Sequence, residues 1–163
     1  MLFTATVADL HDITRCGTEH LIENLGGRVV SGGNDDPDWL GLLSSYEPDL
    51  LVTEMSLAGM SGLDLLRRAR AEGLLDAGRS TAFLVLTTEQ TDRWVRGAFR
   101  LGAAGYMLKS DPLGDIEAAV QAVLQGRRCL SETLPRSLMV EASREASSAR
   151  SSGSGAPSTV LAG

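Results

Sequence analysis

Cysteine is scarce in this chain: Cys16 and Cys129 are the only two among 163 residues. They have no metal-ligand spacing, and two free thiols in a reducing compartment are expected. Aromatic residues make up 4% of the chain, but hydrophobic residues make up 43%, enough to supply a core. No run approaches the roughly 18 consecutive apolar residues of a membrane span. The N-terminal "MLFTATVADL" lacks the charged-then-apolar order of a signal peptide. A cytoplasmic chain with no membrane partner is therefore expected. Positive charge is in deficit, with 15 Lys+Arg against 21 Asp+Glu and a formal charge of -6, which disfavours nucleic-acid binding by these residues. Also missing are Gly-x-Ser-x-Gly, a P-loop and a GxGxxG after the first apolar run, so the common hydrolase, nucleotide and dinucleotide sites find no support and the chain is not expected to be an enzyme.

What is present is alternation. Short apolar runs occur at "LFTATVA", "RVVS", "LLVTE", "AFLVLT" and "GYMLK", separated by segments of helical period. The first helix carries Ile13, Cys16, Gly17, His20, Leu21 and Leu25 at spacings of three and four, so Cys16 is read as core. The second opens at "DDPDW", where Asp36 can cap and Pro37 suits the first helical position; its apolar face is Trp39, Leu42, Leu43 and Tyr46. Ser61 and Asp64 have the spacing of a capping box at the start of the third, which stops near Gly73. The fourth presents Val95, Ala98 and Phe99, flanked by Trp94 and Leu101. The fifth opens with an Asp-Pro pair in "SDPLGD" and presents Ile116, Ala119, Val120, Val123 and Leu124. Met55 is read as core, and Met60 as core or a loop contact. Five strands alternating with five helices imply a parallel α/β sheet covered on both faces. Composition then shifts. Residues 1–134 read as one domain, and 135–163, ending in "EASREASSARSSGSGAPSTVLAG", as a linker or disordered tail. A helix continuing through "LPRSLMVEASREASSAR" is the alternative.

In an open α/β sheet, ligands meet the carboxyl ends of the strands. Asp9 ends the first strand, Glu54 the third, Thr87 and Thr88 the fourth, and Lys109 the fifth. Polar strand ends are ordinary where they meet water. Two acids, hydroxyls and one lysine on a single rim are a set of complementary charges, and that favours a site.

Four stretches carry a family resemblance: "VADLHDITRCG", "PDLLVTEMSLAGMSGLDLLRR", "AFLVLTT" and "AFRLGAAGYMLKSDPLGDIEAAVQAVLQGRR". Over residues 2–134 the chain resembles the receiver domains of bacterial two-component response regulators, best the NarL/FixJ-like branch that usually carries a C-terminal helix-turn-helix domain. The resemblance implies a flavodoxin-like, doubly wound, five-stranded parallel sheet of order 2-1-3-4-5, with helices on both faces. It places Glu54 on the phosphoacceptor aspartate and Lys109 on the invariant lysine. Asp9 falls on the first of two metal-binding acids and Leu10 on the second. Ser56 falls where a backbone carbonyl would ligate the metal, Thr87 on the switch hydroxyl and Tyr106 on the switch aromatic.

Two departures bear on chemistry. Mg²⁺ takes oxygen ligands in near-octahedral geometry, and Leu10 removes one of them. Glu54 adds a methylene, and a misplacement of roughly 1 Å can cost on the order of 10²-fold in rate. An atypical receiver independent of aspartyl phosphorylation is expected, with weak or absent Mg²⁺ binding and no other cofactor. Glu54 either mimics the phosphorylated state, paired with Lys109 and accepting a bond from Thr87, or is an inert counter-charge. The alternatives are a conventional phosphorylation-linked receiver, and a cobalamin-binding domain using Asp9 and His11 in an Asp-x-His motif, where Thr14 stands at the place of the motif's glycine. The resemblance implies protein partners and a homodimer, through the face of the fourth helix, fifth strand and fifth helix, or through the first and fifth helices. The first face would include Arg93, Trp94, Arg96, Arg100 and Tyr106. Transcription regulation would follow through a helix-turn-helix domain outside these residues.

Overall fold

The computed structural model describes residues 2–30, 38–75 and 81–152. Six strands form one parallel sheet: β1 (Phe3–Ala8), β2 (Gly27–Val29), β3 (Leu50–Thr53), β4 (Ala82–Thr87), β5 (Gly105–Leu108) and β6 (Cys129–Leu130), in the order β2-β1-β3-β4-β5-β6. The order expected for five strands is present, and β6 extends it by a short edge strand. The doubly wound α/β fold follows from strands that are apolar toward both faces. Leu51, Val85, Tyr106 and Leu108 point into one buried cluster, and Leu50, Val52, Leu84, Leu86 and Met107 into the other.

Six helices clothe the two faces. Helices α1 (Asp12–Asn24) and α5 (Leu113–Leu124) pack on one. Helices α2 (Trp39–Tyr46), α3 (Gly62–Ala71), α4 (Asp92–Arg100) and α6 (Arg136–Ser152) supply buried residues to the other. The capping box forms as the spacing requires: Asp64 N–H donates to Ser61 Oγ at 3.1 Å, and Ser61 N–H to Asp64 Oδ2 at 3.0 Å. Those bonds to Ser61, with Arg67 alongside, hold the Asp64 carboxyl below the usual range. Helix α3 ends at Ala71, and Gly73 follows at φ 72°, a left-handed angle that suits glycine.

Several local expectations are corrected. Cys16 is exposed, not core, and Ile13 is 87% exposed. The buried stripe of α1 is Thr18, Leu21 and Ile22, because the helix turns its threonine side to the sheet. Tyr46 is likewise exposed while Trp39 and Leu43 are buried. Asp38 caps α2, accepting Gly41 N–H at 3.0 Å; Asp36 and Pro37 lie outside the described residues. At α5 the N-cap position is Pro112, and Asp111 does not cap. Its carboxylate turns back to accept Leu108 N–H and Ser131 Oγ–H, each at 2.8 Å, which ties the end of β5 to the segment after β6.

The expected linker from residue 135 gives way over Arg136–Ser152 to the alternative, a helix. Leu138 and Ala142 are buried in the core cluster and Met139 packs against it. A few apolar contacts suffice where neighbouring helices already enclose the space, and an averaged composition hides them. Residues 153–163 lie outside the described residues. Among the described residues no helix is long and apolar enough to cross a membrane.

Candidate functional site

The rim at the carboxyl ends of the strands is set by the ladder itself. Glu54 N–H donates to Ala8 O at 2.8 Å, and Lys109 N–H donates to Thr87 O at 2.9 Å. These bonds extend the β1–β3 and β4–β5 pairings by one residue and fix where both side chains begin. Lys109 Nζ lies 2.6 Å from Glu54 Oε2 and 2.8 Å from Asp9 Oδ2. The lysine side chain is 14% exposed, and the two acids 7% and 5%. One part-buried cation thus serves two buried carboxylates. Such groups persist only when paired and hydrogen-bonded.

The remaining oxygens are also taken. Glu54 Oε1 accepts Met55 N–H at 2.6 Å. Asp9 Oδ1 accepts His11 N–H at 2.8 Å, and Thr14 Oγ–H donates to Asp9 Oδ2 at 2.8 Å. Burial works to raise the Asp9 pKa, but Lys109, the His11 N–H and Thr14 outweigh it and hold the carboxyl below its ordinary value. Burial likewise works to lower Lys109, and bonds to Asp9 and Glu54 outweigh it and raise the ammonium. The two shifts define a window. The depressed acid stabilises the fold above its unfolded value of about 3.9 and loses that contribution as pH falls through the folded pKa. The raised lysine stabilises it below its unfolded value of about 10.4 and loses that as pH rises through the folded pKa. The thermal midpoint is expected to be flat between these limits and to fall beyond each, as calorimetry across pH would read.

Thr87 and Tyr106 meet at the next loop. Tyr106 is turned inward and fully buried, and its hydroxyl donates to Glu89 O at 2.8 Å. Burial, with Glu89 and Glu54 near, drives the phenol pKa upward. Thr87 Oγ accepts Glu89 N–H at 3.2 Å. The expected bond from Thr87 to Glu54 is not made; the Thr87 hydroxyl oxygen faces the loop that leads into α4. Leu10 is 45% exposed, and Ser56 is exposed in a two-residue hairpin strand, Ser56–Leu57 paired with Met60–Ser61. The structure therefore brings Asp9, Glu54 and Lys109 into contact and turns Thr87 and Tyr106, from two strands, onto one adjoining loop at Glu89.

Thr14, Met55 N–H and Glu89 were not anticipated as parts of this rim. Thr14 had a signal: it begins the series Thr14, Thr18, Leu21, Leu25, a second helical face that treating threonine as polar conceals. The expected partner surface is also altered. Trp94 is half-buried beneath Arg93, whose guanidinium lies 5.9 Å from the ring centroid. Arg96 and Arg100 are not free but pair with Glu141 and Glu145 of α6.

Gly62 guards the acid's backbone. A Cβ there would lie 2.5 Å from the Glu54 carbonyl oxygen. Gly62→Ala is expected to destabilise the fold by about 1–3 kcal/mol through overpacking against main chain, read as a lowered denaturant midpoint with unchanged slope.

The family model described as the response regulator receiver domain matches residues 5–121. The nitrate/nitrite response regulator NarL of Escherichia coli is 31% identical over 132 residues, 80% of this chain and 59% of the relative. The response regulator GacA of Pseudomonas aeruginosa is 28% identical over 136 residues, 83% of this chain and 61% of the relative. The chain thus spans about three fifths of the length of these relatives. A solved LuxR-family two-component response regulator from Aurantimonas sp. superposes with a TM-score of 0.72 at 27% identity, covering 93% of this chain and 99% of that one. With its strand order, its rim and more than half its length matched, the chain belongs to the response regulator receiver domain family of two-component signalling.

Proposed function

We propose that this receiver domain signals through protein contacts without aspartyl phosphorylation, its rim held permanently by Glu54, Asp9 and Lys109. The observation that carries this reading is the position of Lys109 Nζ, at 2.6 Å from Glu54 and 2.8 Å from Asp9, with every other carboxylate oxygen already bonded. The divalent cation that the fold family implies does not suit these residues. Mg²⁺ needs several oxygen ligands and retained water at near-octahedral angles. Leu10 offers apolar surface where the second acid would stand, and both acids are committed to Lys109 and to backbone N–H groups. Glu54 supplies a charge of -1 where a phosphoryl group would bring about -1.5 to -2. The inward, buried Tyr106 is compatible with an active-like rim. The cobalamin reading is not favoured: His11 Nδ1 lies 3.4 Å from Asp9 Oδ1, but Thr14 stands where that motif has glycine, and its hydroxyl and Lys109 hold the other Asp9 oxygen.

The partners in this reading are proteins, a second copy of the chain among them, and any transcriptional output runs through a DNA-binding domain such as the relatives' branch carries. Incubation with a small phosphodonor and Mg²⁺, followed by intact mass, is expected to leave the protein unmodified, and Mg²⁺ is expected to leave the thermal midpoint unchanged. A stoichiometric phosphoryl adduct would overturn the reading.

A further inference from the structure

Helix α6 lies along α4 in parallel register. Arg96 pairs with Glu141 at 2.9 Å, and one turn later Arg100 pairs with Glu145, its Nε donating to Oε2 at 2.8 Å. Beside these rungs Leu138 and Ala142 enter the core cluster that also holds Val95, Ala98 and Phe99. Arg128 adds a bond to Ser143. The repeat is simple: apolar residues at Leu138 and Ala142, acids at Glu141 and Glu145, each pair four apart, against arginines four apart on α4.

The hold is light. Only Leu138 and Ala142 among the described α6 side chains are buried. All four ion-pair side chains are 42–53% exposed, in the range where such pairs contribute little and salt screens them. The fit is also incomplete: Arg96 Nε is buried with no acceptor among the described residues. A buried donor left unsatisfied is unfavourable and favours any occupant that brings an acceptor to it. At its other end α4 joins the rim loop, where Glu89 is held by Thr87 and Tyr106.

We propose that the α4 face is a docking site for an acidic amphipathic helix, that α6 is its built-in occupant, and that a protein partner presenting the same pattern displaces α6. The partner's chemistry is fixed by the face: acids one turn apart to meet Arg96 and Arg100, an aliphatic and a small residue each three positions before an acid, and an oxygen within reach of Arg96 Nε. The surface is then closed to partners while α6 is docked and open when it lifts.

Hydrogen exchange on the full chain tests this, with E141R/E145R as the undocked form and a synthetic peptide of residues 135–152 as the probe helix. In the variant, amide protection across α6 is expected to fall about tenfold or more while β1, β3 and β4 keep theirs. The peptide is expected to bind the variant at least about tenfold more tightly than the wild-type chain, whose face is occupied. Adding R96E/R100E to the variant is expected to restore α6 protection by exchanging the charges. Unchanged α6 protection in E141R/E145R would overturn the proposal. So would a peptide that binds both chains equally or neither. Loss of protection in the strands as well would show α6 to be a fixed part of the fold, and that too would overturn it.

Discussion

Lys109→Met is expected to lower stability by about 3 kcal/mol or more, the range seen when one partner of a buried ion pair is removed. Methionine keeps the apolar stem and deletes only the charge. What remains is two carboxylates, 5% and 7% exposed, which had approached the same ammonium at 2.8 and 2.6 Å. Both are poorly solvated and repel each other, and the Asp9 carboxyl, which Lys109 helps to hold below its ordinary value, loses that support, so its folded pKa rises. A raised carboxylate pKa gives stability that is fully present below the unfolded value and is lost as pH rises through the folded value. The variant is therefore expected to be more stable at pH 5 than at pH 8, whereas the wild-type chain is flat across that interval. Thermal melts of both proteins at the two values read the effect, with a shift of about 10 °C at pH 8. A variant with wild-type stability at every pH would mean that the lysine is a surface charge, contrary to the geometry.

The second large effect is a gain. Leu10→Asp with Glu54→Asp is expected to yield a Mg²⁺-dependent phosphoryl adduct from a small phosphodonor, at a rate on the order of 10²-fold or more above the wild-type background. Leu10→Asp supplies a second oxygen ligand beside Asp9. Glu54→Asp shortens the acid by one methylene, withdrawing it from Lys109 and freeing room beyond it for a phosphoryl group. Neither change supplies both metal and acceptor, so each single variant is expected to fall well short of the pair, a strong positive coupling. Intact mass with and without chelator distinguishes the four proteins. A double variant that stays unmodified would show that these two positions are not what keeps the rim from taking a phosphoryl group.

Sequence reasoning reached the rim because each of its charged members ends a strand. A short apolar run followed by one polar residue fixes both the strand and the end at which Asp9, Glu54 and Lys109 emerge. The Ser61–Asp64 box and the Val95, Ala98, Phe99 stripe were legible for a similar reason, as local patterns with one structural solution. Helix α1 had two. Ile13, Cys16 and His20 are spaced as regularly as Thr14, Thr18 and Leu21, and only the sheet beneath decides which series is buried. Thr87 is turned instead toward a backbone N–H two residues on, a local contact that serine and threonine often make and that the strand pattern does not reveal. Helix α6 was concealed by its own composition. Serine and alanine dominate it, and its docking depends on Leu138, Ala142 and two charge pairs whose partners lie some 45 residues earlier in the chain.

The placement of the two tryptophans has a practical outcome. Trp39 belongs to the cluster under α2, α3, α4 and α6, and Trp94 packs against that same cluster. The layer between the sheet and helices α1 and α5 contains neither. Intrinsic indole emission is thus a one-sided reporter: it will register detachment of α6 or loosening around α4, and stay silent if two copies meet through α1 and α5.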